Sequence, residues 1–167
     1  AIIYQQICDI VDIDEFCNFM AAGCYAGCSD WLTNSNNVKG YRSRPDGKFH
    51  LVFMDMDAGF SNSDMLGSLI SRRNNYDDRY PYNNKSYVIN IFVNMLDYEP
   101  FRKKFIDAYC LVDGSVFEPT FSEQVFNDMV SRAYNAMAME GNQNNLTNSA
   151  NTMVSRIWNG RSSRMSS

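Results

Sequence analysis

The chain contains 167 residues, of which 45% are hydrophobic and 14% are aromatic. These values are typical of one globular domain with an ordinary core, and they exclude a disordered chain. The 15 basic and 19 acidic residues give a formal net charge of −4, which argues against nucleic acid or an anionic membrane as the main partner. The apolar runs are too short to predict a transmembrane helix.

The first predicted element is a helix from about Ile13 to Gly27. Asp12, with Glu15 three residues later, has the pattern of a capping box at the helix start. Apolar residues then recur at helical spacing, and Gly27 is well placed to end the helix. Asp30 is therefore expected in the loop that follows a buried helix.

Two short strands are predicted next, at Val38–Tyr41 and Lys48–Met54, joined by a turn at Arg44–Gly47 in which proline and glycine favour the required dihedrals. Apolar residues on both faces of the second strand predict that both faces are covered. The end of this strand is expected to present Asp55 and Asp57 on the same side.

The remainder is predicted to be helical after a long polar surface segment, so the fold class is α+β, predominantly helical, with one small β-hairpin near the N-terminus. The segment 61–84 is expected to contain one short helix at Ser63–Ile70. The later predictions are a helix at Tyr87–Leu96, one from Glu99-Pro100, one from Ser122-Glu123, a polar break at Gly141–Asn151, a last helix from about Thr152, and a basic tail at Gly160–Arg164 that frays.

The five cysteines show no spacing that predicts a disulfide framework. Cys24 and Cys28 are four residues apart, but the chain has one histidine, His50, and no second cysteine pair follows. We therefore reject a cysteine-based zinc site and predict that these cysteines lie on the buried stripe of a helix. His50 is expected to be a hydrogen-bonded or surface residue.

The strongest chemical pattern is an aspartate, an asparagine pair and a second aspartate beyond the hairpin, at Asp30, Asn36, Asn37 and Asp57. In phosphoryl transfer one carboxylate orients the attacking hydroxyl, while an asparagine and a second carboxylate hold the magnesium ions. In protein kinases the asparagine follows the first aspartate by five residues, and a strand pair leads to the second aspartate. Here the asparagines follow six and seven residues after Asp30.

These residues resemble the catalytic segment of the spore-coat-protein-H (CotH) kinase family, an atypical protein-kinase-like group. The matching motifs are Asp30-Trp31, Asn36-Asn37-Val38-Lys39, Tyr41-Arg42, Asp46-Gly47-Lys48 and Asp55-Met56-Asp57-Ala58-Gly59-Phe60. The segments Phe92–Leu96 and Phe101–Phe105 are similar to the helical C-terminal part of the family, so the resemblance covers most of the chain. Ala58 stands where the family usually has phenylalanine.

The resemblance implies a role for each matching polar residue. Asp30 would be the base-like aspartate near the substrate hydroxyl. Asp57 would be the principal magnesium ligand, with Asn36 or Asn37 as the second ligand. Asp55 would be a further metal ligand or a satisfied carboxylate at the strand end.

The resemblance also implies cofactors and partners. ATP and Mg²⁺ (or Mn²⁺) would be the cofactors, with Lys39 and Arg42 near the phosphates, and the acceptor would be a serine of a coat or surface protein. The location would be extracellular, at the cell surface or in the spore coat. The sequence does not predict an oligomeric state.

The early position of Asp30 leaves no room for a phosphate-covering loop or a nucleotide-binding lysine before it. We therefore expect residues 1–167 to form a single domain that corresponds to the C-terminal lobe of such a kinase, without the upstream nucleotide-binding lobe, and to be nearly inactive alone. Two alternatives are a non-catalytic coat or surface protein that keeps the scaffold for partner binding, and a helical interaction module whose acidic loop only caps secondary structure.

Overall fold

The computed structural model describes residues 2–28, 37–43, 45–57, 59–61, 64–72 and 87–166. The elements in chain order are α1 (Ile2–Ile10), α2 (Ile13–Ala26), β1 (Lys39–Arg42), β2 (Phe49–Val52), α3 (Met65–Arg72), α4 (Tyr87–Met95), α5 (Glu99–Gly114), α6 (Pro119–Met139) and α7 (Gln143–Ser166). This order confirms a predominantly helical α+β fold with one small hairpin. Among the described residues, no helix combines the length and the apolar character needed to cross a membrane.

Helix α2 begins and ends where its sequence predicts. The Asp12 carboxylate accepts a hydrogen bond from the backbone N–H of Glu15 at 3.1 Å, which satisfies one of the free donors at the helix start. Gly27 adopts a left-handed conformation with φ of 60°, the conformation that commonly ends a helix. Between these caps most of the side chains are buried.

The core forms where α2 packs against α5, with α3 and α4 completing it. Aromatic rings make much of the contact: Phe92 meets Phe105 edge to face with 4.7 Å between ring centroids, and Phe101 is fully buried. Cys17, Cys24 and Cys28 are buried in this core. Cys24 lies on α2 as predicted, whereas Cys28 lies past the end of that helix at Gly27. Burial raises the pKa of the Cys17 thiol to about 12.

The hairpin pairs β1 with β2 in antiparallel register, with Gly40 opposite Leu51. The predicted covering of both strand faces is wrong, because every residue of β1 is exposed and β2 is at most half-buried. Strand β2 packs on α2, and Phe49 and Val52 are 44% and 38% exposed. The predicted turn holds in its described part, where the Gly47 N–H donates to the Ser43 carbonyl at 2.9 Å.

Three helical predictions need correction. Helix α1 was not predicted. The predicted polar break at Gly141–Asn151 is wrong, because α7 already begins at Gln143 and continues through that segment. The tail is not frayed either, since α7 is helical to Ser166 and Arg164 is 2% exposed.

The other helix boundaries shift by a few residues. The short helix predicted at Ser63–Ile70 is α3, and α4 ends one residue earlier than predicted. Helix α6 begins at Pro119, before the predicted Ser122. Residues 62–63 and 73–84 of the predicted surface segment lie outside the described residues.

Candidate functional site

The described structure contains most, but not all, of the predicted site residues. Asn37 is half-buried just before β1, while Lys39 and Arg42 are exposed at the two ends of that strand. The predictions for Asp30 and Asn36 fall outside the described residues. The described chain stops at Cys28 and resumes at Asn37, on either side of them.

Arg42 is used within its own hairpin. Its Nε–H donates to the Gly47 carbonyl at 2.6 Å, and its guanidinium lies 5.5 Å from the centroid of the Phe49 ring. These contacts hold the side chain along the hairpin, and it stays exposed. Lys39 is likewise exposed, at the opposite end of β1.

Asp55 and Asp57 lie beyond the end of β2, with Asp57 in a turn, and not in the strand itself. The strand ends at Val52 and Asp55 has a left-handed backbone with φ of 53°, so the alternation that predicted both carboxylates on one side does not reach them. The Gly59 N–H donates to the Met56 carbonyl at 3.0 Å, which closes a turn around Asp57. We call residues 55–57 and 59–61 the aspartate turn.

The aspartate turn is bonded to the C-terminal end of α2. The Phe60 N–H donates to the Ala26 carbonyl, and the Ser61 hydroxyl donates to the Gly27 carbonyl at 3.2 Å. Helices leave their last carbonyls without intrahelical partners, and the turn supplies donors to two such groups. The segment that carries Asp57 therefore meets the chain just before the position from which residues 29–36 continue.

Asp55 and Asp57 are available for ligation. Both are exposed, and neither makes a hydrogen bond or an ion pair with any other residue in the described part of the chain. Carboxylate oxygens are ligands that Mg²⁺ prefers. The donor set of the aspartate turn thus fits the metal that the sequence pattern implies.

Aromatic rings and a buried arginine pack against the aspartate turn through Phe60. Phe60 packs edge to face against Phe117 with 5.2 Å between centroids, and Phe117 stacks on Tyr25 at the same distance. The Arg164 guanidinium lies 5.5 Å from the centroid of Phe60 and 5.2 Å from that of Tyr25. Helix α7 therefore supports the turn through one cation placed beside two rings.

A buried polar network fixes this support. The Tyr25 hydroxyl donates to the Asp113 carboxylate at 2.6 Å, and Arg161 donates to the same carboxylate at 2.7 and 2.9 Å. The Arg161 hydrogen bonds, together with that from Tyr25, hold the pKa of Asp113 below its ordinary value although burial acts in the opposite direction. Burial raises the pKa of the Tyr25 hydroxyl and lowers that of the Arg164 guanidinium.

Sequence reasoning did not find these supporting residues. Arg161 and Arg164 were assigned to a frayed basic tail, although they continue the helical stripe of Ile157 and Gly160. That spacing was the available signal. The pairing of Asp113 with Tyr25 had no local signal, because the two residues lie 88 positions apart.

His50 was expected to be hydrogen-bonded or at the surface, and the hydrogen bond is confirmed. Its Nδ1 contacts a carboxylate oxygen of Glu15, and its side chain is 25% exposed. No sequence pattern predicted that the Glu15 carboxylate faces His50.

A family model described as CotH kinase protein matches residues 1–160. The chain therefore belongs to the CotH kinase family, a family of kinase-like proteins. Searches of curated proteins and of solved structures found no match.

Proposed function

We propose that this chain carries the catalytic-loop part of a CotH-type protein kinase, which transfers the γ-phosphoryl group of ATP to a serine of a coat or surface protein outside the cell. Membership of the family supports the reaction class. The observation that carries the proposal is the bonding of the aspartate turn to the end of α2. Asp30 follows Cys28 by two residues, so its segment leaves from that same end.

The proposed roles follow from general phosphoryl-transfer chemistry. Asp57, with Asn36 or Asn37 and with Asp55 as a possible further ligand, would hold Mg²⁺ or Mn²⁺. Asp30 would accept a hydrogen bond from the serine hydroxyl and orient it for attack. The bound metal would neutralise charge that develops on the phosphate oxygens.

The expected contribution of the chain resembles that of the C-terminal lobe of a kinase. Lys39 and Arg42 stand on the exposed hairpin, where long cationic side chains can approach phosphates when nucleotide binds. Calorimetry with ATP and Mg²⁺ measures the nucleotide affinity of this chain.

The test is a transfer assay with radiolabelled ATP on the full-length protein. Asp57→Ala is expected to lower incorporation at least about a hundredfold, the scale of losing a main electrostatic stabiliser. Asp107→Asn, an exposed carboxylate of α5 that pairs with Lys103 at 3.0 Å, serves as the matched control and should keep activity. Equal incorporation by wild type and Asp57→Ala, or none with Mg²⁺ or Mn²⁺, would contradict the proposal.

The second candidate function is a non-catalytic coat or surface protein that uses the same scaffold to bind a partner. Exposed apolar side chains favour it, among them Phe49 and Phe53 near the hairpin and Phe121 and Met129 on α6. Metal-dependent ATP binding by the full-length protein would count against this function. A full-length protein that binds no ATP but still associates with the coat would count for it.

A further inference from the structure

Asp12, Glu15 and His50, none of which belongs to the aspartate turn, bring three metal-binding side chains together. One ligand atom from each residue lies within 4.8 Å of the other two. The two carboxylates come from the start of α2 and the imidazole from β2, so two elements distant in sequence contribute. All three residues are half-buried.

The backbone fixes these residues in place. The Asp12 N–H donates to the Phe49 carbonyl at 3.3 Å, and Val11 forms a bridge with Phe49. The Tyr41 ring stacks on the imidazole of His50 with 4.9 Å between centroids and 17° between planes. The fold therefore sets the positions of the three metal-binding side chains.

The start of α2 also departs from an ordinary capping box in a way that frees one carboxylate. In a capping box the third helical residue reaches back to the N–H of the capping residue. That N–H is taken here by Phe49, so the Glu15 carboxylate faces His50 Nδ1 instead. The Asp12 side chain caps the helix, and the Glu15 carboxylate takes no part in the cap.

We infer that Asp12, Glu15 and His50 bind a zinc-like divalent cation, with His50 ligating through Nδ1. A mixed set of one imidazole and two carboxylates suits Zn²⁺ and related transition metals, whereas Mg²⁺ prefers oxygen ligands alone. Three protein ligands leave at least one position for water. The ion would join the start of α2 to the hairpin strand that leads to the aspartate turn, and this inference does not depend on the proposed kinase activity.

The test uses the fact that His50 is the single histidine of the chain. A tag-free, ¹⁵N-labelled protein with Cys8→Ser and Cys110→Ser, which removes the half-buried and exposed thiols, is titrated with Zn²⁺ at neutral pH. The imidazole ¹⁵N signals are followed by NMR. The Nδ1 signal is expected to move on binding, and excess Mg²⁺ is expected not to reverse the change.

Single substitutions then separate a metal site from a simple His–Glu contact. Glu15→Gln and Asp12→Asn should each weaken Zn²⁺ binding at least about tenfold, and asparagine at position 12 still caps the helix. Asp14→Asn is the matched control, because Asp14 lies on the same helical turn but pairs with Lys104 at 2.6 Å. It should leave the affinity unchanged.

Absence of any imidazole shift would overturn the inference, as would a shift that Asp12→Asn and Glu15→Gln do not alter. The Asp57→Ala variant should retain the full Zn²⁺ response. Failure of phosphoryl transfer and failure of this metal site are therefore read from different variants and different signals.

Discussion

Arg164 is a cation almost fully enclosed in the protein interior. Its guanidinium lies beside the rings of Tyr25 and Phe60 and donates to the backbone carbonyls of Arg156 and Ile157. Those carbonyls belong to its own helix, so the charge is stabilised by dipoles and ring faces, without an ion pair to any carboxylate of the described residues. A side chain used in this way supports both the end of α7 and the aspartate turn.

We expect Arg164→Ala to lower the free energy of unfolding by about 3 kcal/mol, because it removes a large buried side chain and leaves a cavity between two rings. Denaturant unfolding measures the change. Arg156→Ala, an exposed residue on the same helix, should change stability by no more than about 0.5 kcal/mol. Similar losses for the two variants would show that the buried position of Arg164 is not important.

The Asp113 carboxylate should make stability depend on pH in the acid range. Its pKa in the folded state is lowered, chiefly by Arg161. The stabilisation is therefore fully present above the unfolded-state pKa of about 4 and is lost as the pH falls through the lower folded-state value. Asp113→Asn should reduce stability at neutral pH, and the difference from wild type should shrink on acidification.

The control for Asp113→Asn is Asp128→Asn. Asp128 forms an exposed pair with Arg132 at 2.8 Å on α6, and such pairs contribute about 0–1 kcal/mol. Its substitution should change the free energy of unfolding by nearly the same amount at every pH. A constant difference between wild type and Asp113→Asn from pH 7 to pH 3 would contradict the assignment.

At the scale of elements, the end of α2 is the critical junction, because its last carbonyls receive the aspartate turn. Gly27→Ala should destabilise the protein by about 1–2 kcal/mol, since an L-residue with a side chain is strained at the φ of 60° found there. Thermal unfolding measures the effect. Gly114→Ala is the matched control: it ends α5 with open space around the position, and it should be neutral or stabilising. Equal destabilisation by both would indicate that backbone conformation is not the cause.

Elements with local signals were predictable, and those that depend on a packing partner were not. Helix α2 could be placed to the residue because Asp12 and Gly27 cap it through local hydrogen bonds. The exposed faces of the hairpin could not be foreseen, because the alternation of Phe49 and Leu51 reports apolar character and not whether a second layer exists. The start of α7 was missed because its polar Asn and Gln residues mask the half-buried positions that lead to Ala150.

Asp57 and the residues that support it illustrate the same limit. Asp57 was found from its motif, and its exposure in a turn is consistent with a binding role. The support behind it, from Arg164 and Phe117, joins segments far apart in sequence. A single sequence carries no record of such pairing.

At the scale of the whole molecule, α6 and α7 form a helical hairpin that contacts the core near one end. On α6 the buried residues are confined to Pro119 and Ser122, while Met139 at the far end is 91% exposed. The far end is therefore held mainly by α6–α7 packing. The two parts of the fold should differ in local stability.

Native-state hydrogen exchange should reveal this difference. Amides of α2 and α5 should exchange slowest, because both helices lie in the core, and amides near Met139–Gln143 should exchange much faster. Mass spectrometry of peptides after timed exchange measures the protection. Equal protection of α2 and of the far end of the hairpin would contradict this description.

The Tyr25–Asp113–Arg161 network has a consequence for the order of folding. Asp113 lies 88 positions from Tyr25 and 48 from Arg161, so the network joins three segments that a growing chain makes far apart in time. An intermediate with a packed core but an undocked α7 would contain a buried carboxylate without its cation, which is costly. Such an intermediate is therefore poorly populated. The C-terminal part of α7, which carries Arg161, should fold together with the core in one cooperative transition.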